Sequence, residues 1–316
     1  MDLLYHSIFL EHDTGAHPEN KTRLYGFQHM VSEEIKDGAS FLPLVHSHEY
    51  INQVAVASEN GLSLDQDTVT SRRSFEVACH GVALTLKAAA SNNFALVRPP
   101  GHHAYPTYGS GFCLFNNIAI AVKHLVSQHK RVLILDFDGH CGDGTEHIFY
   151  DSNQVLFWSL HQSPAFPGKG FIHDIGENAG LGYTINVELP PGTADDLFFQ
   201  GIERILPIAK KFKPDVVAVS AGFDAHQADP LLQLKLSMNS YYELGQILTS
   251  NFQNVFAVLE GGYNIEVLSK CIHNFVDGIN GVAQKYTESS TKSTTAADQV
   301  FKVKLDELEN NLADFW

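Results

Sequence analysis

Cysteine, positive charge and long apolar runs are all scarce in this chain of 316 residues. Its four cysteines, Cys79, Cys113, Cys141 and Cys271, form no CxxC pair and share no regular spacing. That pattern argues against a disulfide framework and for free thiols in a reducing compartment. Lys and Arg number 21 against 36 Asp and Glu, a formal net charge of −15. Such a surface repels phosphate backbones, so direct nucleic-acid binding is not expected, while cationic partners are favoured. No window offers about 20 uninterrupted apolar residues, so no membrane span is expected. The opening MDLLYHSIFLEHDTG carries acids early and no basic segment ahead of an apolar run, so no secretory leader is expected either. The composition points to a soluble, cytoplasmic protein. Histidine, by contrast, is abundant: seventeen residues invite a search for metal ligands.

Short β-branched runs alternate with longer helical patterns. Strands are predicted at Phe94–Arg98, Val132–Asp136, Val155–Leu160, Thr184–Val187, Val216–Ser220 and Val255–Leu259. Most are nearly continuous apolar runs, as strands buried on both faces of a parallel sheet require. Helices are predicted at Ser74–Ala90, Asn116–Gln128, Asp195–Lys211, Ser240–Ser250 and Glu266–Gly281. The alternation implies a doubly wound α/β domain, whose ligands sit beyond the carboxyl ends of the strands. Five of the six predicted strands end in polar clusters: Arg98-Pro-Pro-Gly-His-His103, Asp136-Phe-Asp-Gly-His140, Ser159-Leu-His161, Ser220-Ala-Gly-Phe-Asp224 and Glu260-Gly-Gly-Tyr263. After Tyr286 the Ser/Thr-rich TESSTKSTTAADQ has little to bury. Phe301, Leu305, Leu308 and Leu312 then form an apolar helical stripe. The expected organisation is one domain over residues 1–286, a linker over 287–298 and an amphipathic helix over 299–316. That helix would dock on its own domain or on a neighbour, and the oligomeric state stays open.

The chemistry begins at Asp136-x-Asp138-x-His140. Alternate residues at a strand end point the same way, so two carboxylates and an imidazole would share a face. Acids that merely cap the next helix are the plain alternative. Asp224, closing another strand after the small Ala221 and Gly222, favours a metal: two Asp and one His leave a coordination position open. Adjacent His102 and His103 suit an acid/base pair, each needing a carboxylate on its second ring nitrogen, and Asp136 and Asp143 are at hand. Tyr263, after two glycines, could donate to a developing oxyanion.

These residues resemble the histone deacetylases and the bacterial acetylpolyamine amidohydrolases of the arginase/deacetylase fold. The matching motifs are His12-Asp-Thr-Gly-Ala-His-Pro-Glu19, Arg98-Pro-Pro-Gly-His-His-Ala104, Gly111-Phe-Cys113, Asp136 to Thr145, Ser159-Leu-His161, Ser220 to Asp224 and Glu260-Gly-Gly-Tyr-Asn264. They occur in the family's order across roughly residues 5–280. The resemblance implies a single α/β domain on a mainly parallel, eight-stranded sheet. It implies one zinc ion on Asp138, His140 and Asp224, with His102, His103, Asp136, Asp143 and Tyr263 catalytic. Gly111, Phe112, Phe166, Leu231 and Asp67 would line the acyl tunnel. A structural K⁺ or Na⁺ would sit among Asp136, Asp138, His140, Ser159 and Leu160. Glu260 resembles the class II branch and its bacterial relatives. Leu231 stands where the polyamine-preferring branch carries glutamate, which tilts the substrate toward acetyl-lysine. Acetylpolyamines and small N-acetyl amines are the alternative, and an acyl-lysine binding protein with an impaired site is the non-enzymatic one. A two-manganese amidinohydrolase would need further Asp and His ligands. Two departures stand out: Cys141 replaces the family's second His, and Gly139 a bulky residue. The Cys141 thiol is expected to serve packing, with oxidation sensitivity as the alternative.

Overall fold

The computed structural model spans Met1–Trp316 and builds one sheet of seven parallel strands. These are β1 (Leu3–Leu4), β2 (Phe94–Ala95), β3 (Val132–Asp136), β4 (Val155–Gln162), β5 (Thr184–Leu189), β6 (Val216–Ala221) and β7 (Val255–Leu259). Every residue of β3 to β7 is buried, which explains their unbroken apolar runs: helices cover both faces. The spatial order is β1-β2-β7-β6-β3-β4-β5. From β3 the chain moves outward through β4 and β5, then returns to lay β6 on the other flank of β3. The strand order therefore reverses between β3 and β6, and a parallel sheet opens a ligand crevice at such a point.

The flanking helices are α1 (His48–Asn60), α2 (Ser74–Ser91), α3 (Asn117–Ser127), α4 (Asp143–Phe149), α5 (Asp195–Phe212), α6 (Met238–Asn251), α7 (Leu268–Asn280) and α8 (Thr295–Leu312). Their ends follow local chemistry. Asn116 caps α3 by accepting from the Ala119 amide at 3.0 Å. Two acids open α5 and two lysines close it, matching the helix dipole. No helix is long and apolar enough to cross a membrane.

Seven strands stand where the resemblance implied eight. The strand expected over Phe94–Arg98 stops at Ala95, because the Val97 amide turns back to the Ala95 carbonyl at 3.1 Å and the Arg98 side chain dives to Glu19. Helix α6 starts at Met238, two residues earlier than predicted, and Gly281, at φ +64°, ends α7 in the left-handed conformation.

The C-terminal segment lies on the body. Glu288 accepts from the Met238 amide at 2.7 Å, and Ser293 bridges Ala194 and Asp196. Thr294 then caps α8, whose Phe301, Leu305, Leu308 and Leu312 are all buried, and α8 packs along β5 and α5. The apolar stripe thus docks on its own domain.

Candidate active site

The loop after β3 carries the first donors, though not by the pleat of a strand. The strand ends at Asp136, and each following donor is turned by the acid before it. The Asp138 amide donates to Asp136 Oδ1 at 3.1 Å, and the His140 amide to Asp138 Oδ1 at 2.9 Å. These successive Asx-type turns curl residues 136–140 so that Asp138 and His140 face the end of β6. There Asp224 accepts from the Gly139 amide at 2.7 Å and lies 2.8 Å from His140 Nδ1. The ligand atoms of Asp138, His140 and Asp224 fall within 4.8 Å of one another, the one such group in the structure. Glycine is required around them. A Cβ on Gly261 would come within 2.5 Å of Asp224 Oδ2 and 2.6 Å of Asp138 Oδ2, and instead the Gly261 amide donates to Asp138.

Two fully buried carboxylates beside one imidazole demand positive charge. Burial depresses His140, but Asp224 and Asp138 more than reverse this and hold it up at about 10. Without a metal a proton must answer that demand. A divalent ion satisfies it with the donor set that borderline metals prefer, so the three residues fit the zinc the resemblance implies. For the monovalent cation expected among Asp136, Asp138, His140, Ser159 and Leu160 there is no such support. The Ser159 hydroxyl is engaged by His161 Nδ1 at 2.8 Å, and Asp136 serves His102.

The tandem histidines sit in the loop after β2, with rings 4.0 Å apart. His102 Nδ1 donates to Asp136 Oδ2 at 3.1 Å and His103 Nδ1 to Asp143 Oδ1 at 2.8 Å. Their environments drive them apart. Burial lowers both, but Asp138, Asp136 and Glu260 raise His102 well above the ordinary imidazole range. Burial and the neighbouring His102 leave His103 at about 4, neutral at neutral pH with a free Nε2. Oppositely tuned neighbours of this kind mark acid/base sites.

His103 and His140 open onto a cavity of about 470 Å³. Gly111, Phe112, Phe166, Leu231, Asp67 and Tyr263 line it too, so every expected tunnel residue reaches it. Phe112 holds a left-handed backbone, φ +71°, with its ring against Tyr263 at 5.7 Å between centroids. A non-glycine residue there stores strain, a feature of functional sites. Phe166, half exposed at the mouth, sets its ring edge-on to His103 at 5.1 Å. Burial pushes the Tyr263 phenol well above its usual range, so it keeps its proton.

Several supporting residues carried no sequence signal for their role. Glu260 accepts from the Gly101 and His102 amides, at 2.7 and 3.1 Å, and so ties β7 to the histidine loop. Asp229 accepts from the Tyr263 amide at 2.6 Å and from the Leu231 amide at 3.1 Å. Glu19, wholly buried, binds Arg98 at 2.5 and 2.7 Å and Arg23 at 3.0 Å, and Arg23 reaches the Gly262 and Glu260 carbonyls. Glu19 and Arg98 lie within the recognised motifs; their partnership needed the third dimension.

The departures have plain accounts. At Gly139 a Cβ would collide with Leu232, which fills the space a larger residue would occupy. Cys141 is buried and outside the donor group. Burial, with Glu146 and Asp143 nearby, pushes its thiol well up, which favours the protonated form.

The chain is similar to known proteins in both sequence and fold. Residues 17–279 match the family model described as "Histone deacetylase domain". A "Probable deacetylase" of Archaeoglobus fulgidus is 37% identical over 292 residues, spanning 84% of this chain and 81% of that protein. The "Histone deacetylase-like amidohydrolase" of Pseudomonas aeruginosa is 35% identical over 255 residues, spanning 75% and 67%. The crystal structure of the HDA15 HD domain superposes with a TM-score of 0.89 at 30% identity, covering 100% of this chain and 96% of that one.

Proposed function

The chain belongs to the histone deacetylase family of deacetylases and amidohydrolases, and on that premise we propose that it hydrolyses the acetamide of N-acetyl-lysine with one zinc ion. The observation that carries this reading is a convergence. The Asp138–His140–Asp224 donor group, the neutral imidazole of His103 and the phenol of Tyr263 meet at one cavity. Bound by that group, the ion would polarise the acetamide carbonyl and acidify the attacking water.

The chain's own residues do the rest. His103, its tautomer fixed by Asp143, takes the proton from the water at Nε2 as the water attacks the acetyl carbon. His102, paired with Asp136, stands as the adjacent cation and favours the negative charge that develops. Tyr263 donates its O–H to the carbonyl oxygen as that oxygen becomes an oxyanion. His103 then returns the proton to the departing amine. Phe112 and Phe166 hold the aliphatic neck of the substrate and keep bulk water away. Leu231 in the lining supports an uncharged neck and therefore acetyl-lysine over acetylpolyamines.

Metal analysis together with turnover tests the reading. One zinc per chain is expected, lost in Asp224→Asn. The kcat/KM on an acetyl-lysine peptide should exceed that on acetylputrescine and acetylspermidine. Hydrolysis that persists undiminished after chelation would refute the metal, and a preference for acetylspermidine would refute the substrate.

A further inference from the structure

Lys169 follows the mouth aromatic Phe166 by three residues and lies between Gly168 and Gly170, both in the left-handed region at φ +72° and +74°. Gly170 is the anchor: a Cβ there would strike Cys141 Sγ and the His161 ring, and its carbonyl accepts from His161 Nε2 at 2.9 Å. Fixed in this way, the loop sends a half-exposed lysine inward. Its ammonium donates to the Tyr105 hydroxyl at 2.6 Å and lies 3.6 Å from Asp143 Oδ2. Tyr105 is 7% exposed and stacked on Tyr108 at 4.5 Å, and it donates its own O–H to Asp143 Oδ2 at 2.9 Å. The other oxygen, Asp143 Oδ1, receives His103 Nδ1–H at 2.8 Å.

We propose that Lys169 and Tyr105 are positioning residues for the base, fixing the Asp143 carboxylate so that one oxygen is committed to His103. The inference rests on the reading of His103 as the base. A carboxylate with one partner can swing about its terminal bond, and the imidazole it orients swings with it. The Tyr105 hydroxyl donates to Oδ2, and the Lys169 ammonium, donating to that hydroxyl, lies as a charge 3.6 Å from the same oxygen, which leaves Oδ1 alone to face the ring. The ammonium also neutralises charge at a buried carboxylate, favouring its ionised, accepting form. A surface ion pair alone would contribute little. Here the cation sits at the outer end of a hydrogen-bonded series that ends on a catalytic ring, where outer partners typically govern activity about 10- to 100-fold.

The test is steady-state kinetics on an acetyl-lysine peptide, with metal content and thermal midpoint measured alongside. Lys169→Met and Tyr105→Phe should each lower kcat about tenfold, with KM within about twofold and bound metal unchanged. Lys169→Arg, which restores the charge and the donor, should recover most of the rate. In an Asp143→Asn chain, adding Lys169→Met should cost less than about twofold, because the residues act as one unit. Unaltered kcat in Lys169→Met, a change confined to KM, or a full tenfold loss persisting in the Asp143→Asn chain would each overturn the proposal. Wild-type turnover by His103→Ala would instead overturn the base assignment on which the proposal stands.

Discussion

Replacing Glu19 with glutamine strikes a group that touches no substrate yet supports the whole rear wall of the site. Its carboxylate is completely buried between Arg98 and Arg23, both also buried, and accepts three charged hydrogen bonds from them. Burial alone would raise the acid, but the two guanidiniums prevail and hold it at about 2, against a glutamate's ordinary 4.5. At about 1.4 kcal/mol per pH unit, that difference corresponds to ~3 kcal/mol in favour of the ionised, folded form. Mutational experience with buried ion pairs gives about 3–5 kcal/mol for removing one partner, because the charge left behind is uncompensated. The two routes agree. The sign is fixed as well: the stabilisation is complete above pH 4.5 and is lost as pH falls toward 2. Glu19→Gln should therefore lose about 3–5 kcal/mol in urea unfolding at pH 7. Activity should drop with it, since Arg23 grips the Gly262 and Glu260 carbonyls and lies over the Tyr263 ring. A loss below about 1 kcal/mol, the range of a surface pair, would refute the reasoning.

Other outcomes follow from the same geometry. Tyr263→Phe keeps the ring against Phe112 and loses one oxyanion donor, so kcat should fall by about 10²–10³ at unchanged thermal midpoint; undiminished turnover would remove the phenol from the mechanism. His46 donates Nδ1–H to the Tyr105 carbonyl and accepts the Asn116 amide at Nε2, and burial holds it at about 4. Its folded value lies below the unfolded one, so its contribution is present above pH 6.5 and lost as pH falls toward 4. Between pH 7 and 5 the wild type should therefore lose about 2 kcal/mol more than His46→Gln, and equal losses in unfolding titrations would show that His46 plays no part. Leu305→Ala, under α8, should cost about 2–5 kcal/mol in stability while kcat holds; a selective loss of kcat would instead tie α8 to the site.

The fold was legible where burial leaves a one-letter trace. The apolar runs of β3 and β7 begin and end at the predicted residues, because a strand covered on both faces admits little else. The two-residue β1 leaves no such trace, being a strand only by pairing with β2; at β2 the apolar run was readable, but not that it stops at Ala95. Helix α1, capped by Ser47 and Gly61 in the structure, was not predicted, because its polar–apolar mixture hides the period. In the site, the convergence of Asp138, His140 and Asp224 with the tandem histidines could be anticipated because motif order carries them. The predicted reason for their shared face was wrong in detail: turns made by Asp136 and Asp138, not strand pleating, aim the donors. Lys169, Tyr105, Asp229 and Glu19 were unreadable, since each acts on a residue far along the chain and its identity alone says nothing of its partner.

The reversal of strand order between β3 and β6 also sets a timetable. His140 meets Asp224 across 84 residues, and Glu260 meets the His102 amide across 158. A chain emerging from the ribosome therefore displays both histidines and the first acids of the centre well before Asp224 or Tyr263 exists. Until β6 lies beside β3, and β7 beside β6, Asp138 and His140 have no Asp224 to meet and no Gly261 amide to hold them. The donor group cannot close until the middle of the sheet is complete, so a metal held there would be selected by the finished molecule.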